Sequence, residues 1–250
     1  MFGIIGFLDF LEKNHSCGEV LLNSDFYLDP KLKGNWWEYH FEPIKILPAN
    51  ADSELKITPY PISNNWYNYA ITEMPFSRIR ELFDRYIKPK PHVLHKVRAF
   101  CEQNFGDKTV VGLHYRGTDK QRLESDFIGY NAVFEQVTGI LQQLESSGQV
   151  YVLFVATDEQ EFLDAICERF PGTVYQTGLY RPYGKRPIHF SMPDPYHDTE
   201  AAIIDFILLS RANILIRTSS LLSFMASIVS PNLKKQVMLN KSNWLFRENV

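Results

Sequence analysis

Charged and polar side chains cluster at the end of one apolar segment, VVGLHYRGTDK, near the middle of the chain. Alternate residues of an extended strand face the same side, so His114 and Arg116 are predicted to project together. A guanidinium at the end of an apolar strand is costly to desolvate without an anion, and its planar fork matches a phosphate. Asp119, Lys120 and Glu124 follow within one loop and add titratable groups. The cluster predicts an anion site; the alternative is a structural ion pair between Arg116 and Asp119.

A second candidate is the carboxylate of Asp205, which lies in the middle of an apolar helical segment, AAIIDFILLS. A buried carboxylate without partners is expensive, so Asp205 must find hydrogen-bond donors or lie at an opening in the core. The edge of a guanine base offers two parallel N–H donors that suit one carboxylate. The alternatives are a pair with His114 or with a backbone amide.

Three hydroxyl residues, Thr218, Ser219 and Ser220, follow the apolar segment NILIR at the predicted start of a helix. Hydroxyls and free backbone amides at a helix N-terminus form a suitable phosphate site. Helix capping without any ligand is the commoner use of such residues, so this signal alone is weak. Taken with Arg116, it indicates a diphosphate.

Several motifs that would indicate other chemistry are missing from the sequence. There is no GxGxxG and no GxxxxGK[ST], so a dinucleotide site and a P-loop have no support. There is no DxD triplet, and we expect no metal. His40, His189 and His197 have no spacing that indicates a ligand set.

The elements that position these residues follow from the hydrophobic pattern after residue 106, where short apolar runs alternate with helical segments. This alternation is typical of a parallel sheet. The predicted strands are Thr109 to Tyr115, Gln149 to Ala156, Thr173 to Gln176, Asn213 to Arg217 and Gln236 to Leu239. The predicted helices are Gly129 to Ser146, Glu159 to Phe170, Asp198 to Arg211 and Ser219 to Val229. Ligands of such sheets bind beyond the carboxyl ends of the strands.

The first part of the chain is less regular, and we predict two domains, 1–105 and 106–250, in an α/β protein. The predicted elements of the first domain are a helix from Gly3 to Asn14, a strand from Glu19 to Asn23, and helices from Phe76 to Ile87 and from His92 to Asn104. Trp36, Trp37 and Trp66 are interpreted as core residues rather than as a sugar-binding platform. The basic segment from Arg181 to Arg186 is interpreted as a solvated loop rather than a lid over the cleft.

Composition excludes several classes of protein. The 250 residues are 45% hydrophobic and 22% charged with a net charge of -3, which is the profile of a globular chain without the basic face that nucleic acid requires. No apolar run reaches the roughly 20 residues that a membrane span needs. The three cysteines have no paired spacing, which favours a reducing compartment and a cytoplasmic location.

Four segments together resemble one family. HYRGTDK followed by Glu124 resembles the first motif, approximately HxRRTDKxxxE, of the α1,6-fucosyltransferase and nodulation-protein-Z glycosyltransferases. VYVLFVATDEQEFLDAICERFPG and AIIDFILLSRANILIRTSS resemble the second and third motifs, and WWEYHFEPI resembles the WExxFxPV segment. The resemblance implies a GT-B-like fold, with an acceptor-side N-terminal domain and a Rossmann-type C-terminal domain. It also implies transfer of fucose from GDP-fucose to a glycan hydroxyl, with inversion and without a metal.

The resemblance also implies roles for individual residues. Arg116 would contact the β-phosphate, Glu124 would be the catalytic base with Lys120 beside it, and His114 and Asp205 would face the guanine and ribose. Two more residues, Asp119 and Asp158, fall on motif positions.

Three departures from the family pattern stand out. Gly117 replaces a second arginine, and the hydroxyl that meets phosphate is not fixed among Thr218, Ser219 and Ser220. The family's first strand and glycine-rich loop should precede the helix FGIIGFLDFLEK, so the N-terminal domain is expected to be clipped.

The sequence leaves rival functions open. One is a catalytically inactive protein that binds a GDP-sugar or a glycan, and another is a transferase for a different GDP-sugar. A third is a metal-dependent sugar-phosphate hydrolase that uses Asp158. The simplest interpretation of Thr157 or Asp158 is that one of them caps the following helix.

Overall fold

The computed structural model describes residues 1–22, 27–32, 34–46, 64–117, 128–175, 178–183 and 193–240. The helices are α1 (Phe2–Lys13), α2 (Trp37–His40), α3 (Asn64–Thr72), α4 (Phe76–Tyr86), α5 (Pro91–Asn104), α6 (Tyr130–Ser146), α7 (Gln160–Arg169), α8 (Pro195–Leu209) and α9 (Leu221–Val229). The strands are β1 (Gly18–Glu19), β2 (Lys45–Ile46), β3 (Thr109–Tyr115), β4 (Tyr151–Thr157), β5 (Val174–Tyr175), β6 (Ile214–Arg217) and β7 (Lys235–Met238). Every element predicted after residue 106 is present, with bounds that agree within three residues.

Strands β3 to β7 form one parallel sheet in the order β5-β4-β3-β6-β7. The chain builds the sheet outward from β3 in one direction and then returns to add β6 on the other side of β3. This reversal is a topological switch point, where open α/β sheets leave a crevice for ligands beyond the strand ends. In the register of the sheet, His114 lies beside Ala156 of β4 and Arg217 of β6. The predicted α/β class and parallel sheet are confirmed.

The sheet is covered on both faces, as its continuous apolar strands require. Val111, Leu113 and Tyr115 belong to a buried cluster with α6 and α7. Val110 belongs to a second cluster, on the opposite face, that includes residues of α8 and α9. The predicted alternation along β3 is therefore confirmed. The second cluster continues into α1 through Phe2, and the division into domains at residue 105 stays a prediction.

Helix α1 is attached to its neighbours by close packing and by a buried ionic cluster. A Cβ on Gly6 would overlap the backbone carbonyl oxygen of Trp66, so α1 and α3 approach more closely than a larger residue permits. Asp9 is fully buried and accepts hydrogen bonds from Tyr69 Oη at 2.7 Å and Arg78 Nε at 2.8 Å. Burial raises the pKa of Asp9, but the bonds from Lys13, Tyr69 and Arg78 outweigh burial and lower it.

Two elements differ from the prediction for local reasons. Helix α8 begins three residues earlier than predicted, because Asp194 accepts a hydrogen bond from the His197 amide at 3.0 Å and Pro195 occupies the first helical position. The strand predicted from Glu19 to Asn23 is shorter, since β1 ends at Glu19, which pairs with Lys45, the first residue of its antiparallel partner β2. Asn23 lies outside the described residues. In the described parts of the chain, no helix is long and apolar enough to cross a membrane.

Candidate functional site

A cavity of about 680 Å³ opens beyond the carboxyl ends of β3 and β4, next to the switch point between β3 and β6. Its volume lies within the range of small-molecule sites. One wall is mainly aromatic and comes from the first part of the chain: Phe2, Tyr27, Trp36, Trp37, Phe41 and Tyr67. The polar residues come from the sheet and from α8: His114, Arg116, Asp158, Asp198 and Asp205. The structure therefore brings four of the predicted site residues, His114, Arg116, Asp158 and Asp205, into one cavity.

Arg116 follows β3 and is oriented by Asp158, which follows β4. Arg116 Nε lies 3.0 Å from Asp158 Oδ2, and the Gly117 amide donates to Asp158 Oδ1 at 2.8 Å. The Arg116 amide donates to the hydroxyl of Thr218 at 2.9 Å. Of the two residues expected to cap α7, Asp158 does not do so, because its carboxylate contacts the β3 loop. The Thr157 hydroxyl instead accepts a hydrogen bond from the amide of Glu159, the N-cap residue, at 3.2 Å. Asp158 thus holds the guanidinium of Arg116 at the wall of the cavity.

Asp205 is buried in α8, and its main partner is a residue that the sequence placed in a solvated loop. Asp205 Oδ2 lies 3.9 Å from Arg181 Nη2, whereas Oδ1 has no hydrogen-bond partner among the described residues. Burial raises the pKa of Asp205 to about 7, although Arg181 lowers it. Neither alternative for Asp205, a pair with His114 or with a backbone amide, is found in the described contacts.

The solvated-loop interpretation is therefore wrong for Arg181, which is 7% exposed. Its Nε donates to the backbone carbonyl of Thr157 at 2.9 Å, and burial lowers its pKa. The loop folds inward because a carbonyl and a buried carboxylate both need a donor there. The remainder of this segment, residues 184–186, lies outside the described residues.

The three hydroxyl residues after β6 do not line the cavity. Thr218 is engaged in the sheet, since its amide donates to the His114 carbonyl at 3.0 Å and its hydroxyl accepts from Arg116. The Ser219 amide donates to Asn240 Oδ1 at 2.7 Å, while its buried hydroxyl has no hydrogen-bond partner among the described residues. Ser220 is the N-cap residue of α9 but makes no side-chain cap bond. Their binding of phosphate stays a prediction.

Asp119, Lys120 and Glu124 lie within residues 118–127, outside the described parts of the chain. The structure therefore gives no position for the base expected at Glu124 or for the lysine beside it.

Two charged residues near the site were missed by the sequence analysis. Arg217 is fully buried at the end of β6, and its guanidinium lies 5.3 Å from the centre of the Phe224 ring. The signal that identified Arg116, a cation ending an apolar strand, applies equally to Arg217. Asp198 lines the cavity and is 3% exposed. Its carboxylate accepts hydrogen bonds from the backbone amides of Tyr180 and Asp194, both at 3.3 Å, and burial raises its pKa. Its position on the first turn of α8 gave no such signal.

A possible metal site lies outside the cavity lining. Within the described residues, His40, His92 and Glu200 form a group whose ligand atoms are close enough to hold an ion. No ligand partner for His40 could be predicted from the sequence, because His92 and Glu200 belong to distant segments of the chain.

No family model matches this chain, and no curated protein sequence is similar to it. The solved structure of the fucosyltransferase NodZ from Bradyrhizobium is similar, with a TM-score of 0.57 and 16% identity over 91% of this chain and 88% of that chain. A NodZ α1,6-fucosyltransferase co-crystallised with GDP has a TM-score of 0.46 and 20% identity over 65% of this chain. POFUT1 in complex with GDP has a TM-score of 0.42 and 14% identity, also over 65% of this chain.

This chain covers 48% of that GDP-bound NodZ chain and 51% of the POFUT1 chain, which is about half of their length. At these identities the similarity concerns the fold. The parallel sheet, the helices on both of its faces and the similarity to NodZ from Bradyrhizobium lead to one conclusion: this chain has a fucosyltransferase-like, GT-B-like fold.

Proposed function

We propose that this protein is a glycosyltransferase that moves fucose from GDP-fucose to a hydroxyl of a glycan acceptor, with inversion and without a metal in the chemical step. The observation that carries the proposal is the presence of Arg116 and Asp205 in the lining of one cavity beyond the carboxyl ends of β3 and β4. These two groups complement opposite ends of guanosine diphosphate. A protein that shares this fold is itself a fucosyltransferase.

The leaving diphosphate requires positive charge and oriented N–H donors, because negative charge accumulates on it as the glycosidic bond breaks. Arg116 supplies the charge, and its contact with Asp158 reduces the freedom of the guanidinium before the donor binds. When no divalent ion takes part, these protein groups carry the stabilisation of the leaving group. Arg116 is therefore the residue on which turnover should depend most.

Guanine recognition is assigned to Asp205. Its carboxylate is buried and retains one oxygen without a hydrogen-bond partner among the described residues, and such a group gains most from a ligand that donates to it. The ring nitrogen and the exocyclic amino group of guanine supply two donors, whereas uracil and adenine present different edges to a carboxylate. This difference predicts selectivity for GDP over UDP and ADP.

The acceptor hydroxyl must lose a proton as it attacks the anomeric carbon, and Glu124 is proposed as the base that accepts it. This role is supported by the motif that contains Glu124 and by its sequence distance from Arg116. Lys120 would lower the pKa of Glu124 and burial would raise it. The aromatic wall of the cavity, which includes Trp36 and Trp37, is suited to the apolar faces of a sugar.

Calorimetry with GDP, UDP and ADP, each with and without EDTA, tests base selectivity and metal dependence together. A transfer assay with GDP-fucose and GDP-mannose then tests the sugar. We expect tight binding of GDP alone, unaffected by EDTA, and consumption of GDP-fucose in the presence of a glycan acceptor. Equal binding of all three nucleotides, or loss of GDP binding in EDTA, would contradict the proposal. Binding of GDP without consumption of the donor would favour an inactive binding protein.

Arg116→Ala provides the sharper test. Loss of one stabilising donor typically lowers turnover by roughly two or more orders of magnitude. Arg98→Ala, on an exposed position of α5, is the matched control and should be unaffected. Glu124→Gln should retain GDP binding and lose transfer. Near wild-type transfer by the purified Arg116 variant would refute its role.

A further inference from the structure

One histidine outside the cavity has no conventional explanation for its burial. His40 ends α2 and is completely inaccessible to solvent, and neither ring nitrogen makes a hydrogen bond of normal geometry among the described residues, although the Tyr196 carbonyl lies close to the ring. Buried polar groups are nearly always hydrogen-bonded, because leaving one unpaired costs free energy. Either the imidazole is a tolerated defect of the core, or a ring nitrogen faces a partner outside the described residues, such as a bound ion.

The surroundings of His40 favour the second explanation. His92 on α5 and Glu200 on α8 face it, and one nitrogen of each histidine and one carboxylate oxygen all lie within 4.8 Å of one another. His92 Nε2 is also buried without a hydrogen bond, 3.6 Å from Glu200 Oε1. The other oxygen of Glu200 accepts from Lys96 Nζ at 2.6 Å, which fixes the orientation of the carboxylate.

We propose that His40, His92 and Glu200 bind a zinc ion. Two imidazoles and one carboxylate are a ligand set that zinc uses, with a fourth position left for water. Zinc bonds of about 2.1 Å place neighbouring ligand atoms about 3.4 Å apart, so no pair of ligand atoms has to close by more than roughly 1.4 Å. Small side-chain rotations on the three helices provide this movement.

The backbone of Tyr196 also suits a metal ligand at His40. Its carbonyl oxygen lies close to the His40 ring, on α8 like Glu200. A carbonyl beside a ligating imidazole is a common arrangement, since it receives the N–H that does not face the metal.

The location of the ion suggests what it does. It connects α2, α5 and α8, which are distant in the sequence. Trp37 and Phe41, in and directly after α2, line the cavity, and α8 carries Asp205. None of the three ligands lines the cavity, so the ion joins the three helices and takes no part in donor binding or in the proposed transfer.

The test uses the full chain after metal removal by a chelator. Co²⁺ is titrated as a spectroscopic substitute for zinc, and zinc affinity is measured by competition with a chromophoric chelator. We expect one ion per chain and the visible absorption of four- or five-coordinate Co²⁺. His92→Gln should weaken zinc binding by at least about tenfold. His95→Gln, an exposed histidine on the same helix, is the control and should leave binding unchanged.

Two results would overturn the inference. One is the absence of Co²⁺ absorption in the wild-type chain, which requires no variant and is independent of folding defects. The other is wild-type zinc affinity in the His92 variant, whose half-buried side chain is safer to replace than that of His40. GDP binding measured in the same samples separates the two proposals, because a missing zinc site leaves the assignment of Arg116 and Asp205 intact.

Discussion

Replacement of Asp205 by asparagine isolates the proposed contact with guanine, because the two side chains have nearly the same shape. In the proposed contact, the carboxylate accepts two hydrogen bonds from the base, one from the ring N–H and one from the exocyclic amino group. Asparagine has one acceptor oxygen, and its own NH₂ group would face the second donor. The substitution therefore removes one hydrogen bond and opposes the other.

The size of the effect follows from the burial of Asp205. A hydrogen bond to a charged group contributes about 1.5–3 kcal/mol, so two contribute about 3–6 kcal/mol. Since the pKa of Asp205 is raised to about 7, half of the free protein must lose a proton at pH 7, which costs only about 0.4 kcal/mol. GDP affinity should therefore fall by roughly two to four orders of magnitude in Asp205→Asn.

The assay is calorimetry with GDP and with inosine diphosphate, which lacks the exocyclic amino group of guanine. The wild-type protein should prefer GDP by roughly 10- to 150-fold, the equivalent of one charged hydrogen bond. In Asp205→Asn this preference should disappear. Both ligands share the diphosphate, so general damage to the site cancels in the ratio. An unchanged preference in the variant would show that Asp205 does not contact the base.

The remaining expectations concern pH and packing. The raised pKa of Asp205 means that the folded state binds its proton more tightly, so this group destabilises the fold increasingly from about pH 4 to pH 7, by on the order of 4 kcal/mol in total. The difference in unfolding free energy between Asp205→Asn and wild type should therefore increase over that pH range and then level off. Urea denaturation at several pH values measures this difference, and a difference that does not change with pH would show that the carboxyl group is not buried. Gly117→Ala should lower the unfolding free energy by about 1–3 kcal/mol, because the new Cβ would overlap the Glu159 carboxylate that accepts from Tyr130 Oη at 2.6 Å. Glu159→Ala should recover part of the loss, and additive effects in a double-mutant cycle would contradict this account.

Much of the sheet was predictable because strand patterns are local. Side chains alternate along β3, so Val110 and Val111 were assigned to opposite faces from the sequence alone, as the two buried clusters confirm. The joint projection of His114 and Arg116 follows from the same period of two. The burial of Asp205 followed from its apolar neighbours along one helix. In each case the deciding information lies within a few residues.

Pairing across the chain was not predictable in the same way. Either Thr157 or Asp158 was expected to cap α7, because capping is a local use of both residue types, but two donors from the adjacent β3 loop occupy the Asp158 carboxylate. Arg181 has the composition of a solvated loop, and only the approach of α8 brings a buried carboxylate to it. The face on which a side chain lies is set by its position within its own helix or strand. The residue that it contacts on another element depends on how the elements pack together.

The α/β class, the faces of β3 and the polar residues near the strand ends could be predicted from the residues alone, because each depends on a pattern within a few consecutive residues. The contact of Asp158 with Arg116, the contact of Arg181 with Asp205 and the cluster of His40, His92 and Glu200 are visible only in the folded molecule. These contacts join groups from elements that are far apart in the sequence. The packing of helices and strands, with its requirement that buried charges find partners, sets which of them meet.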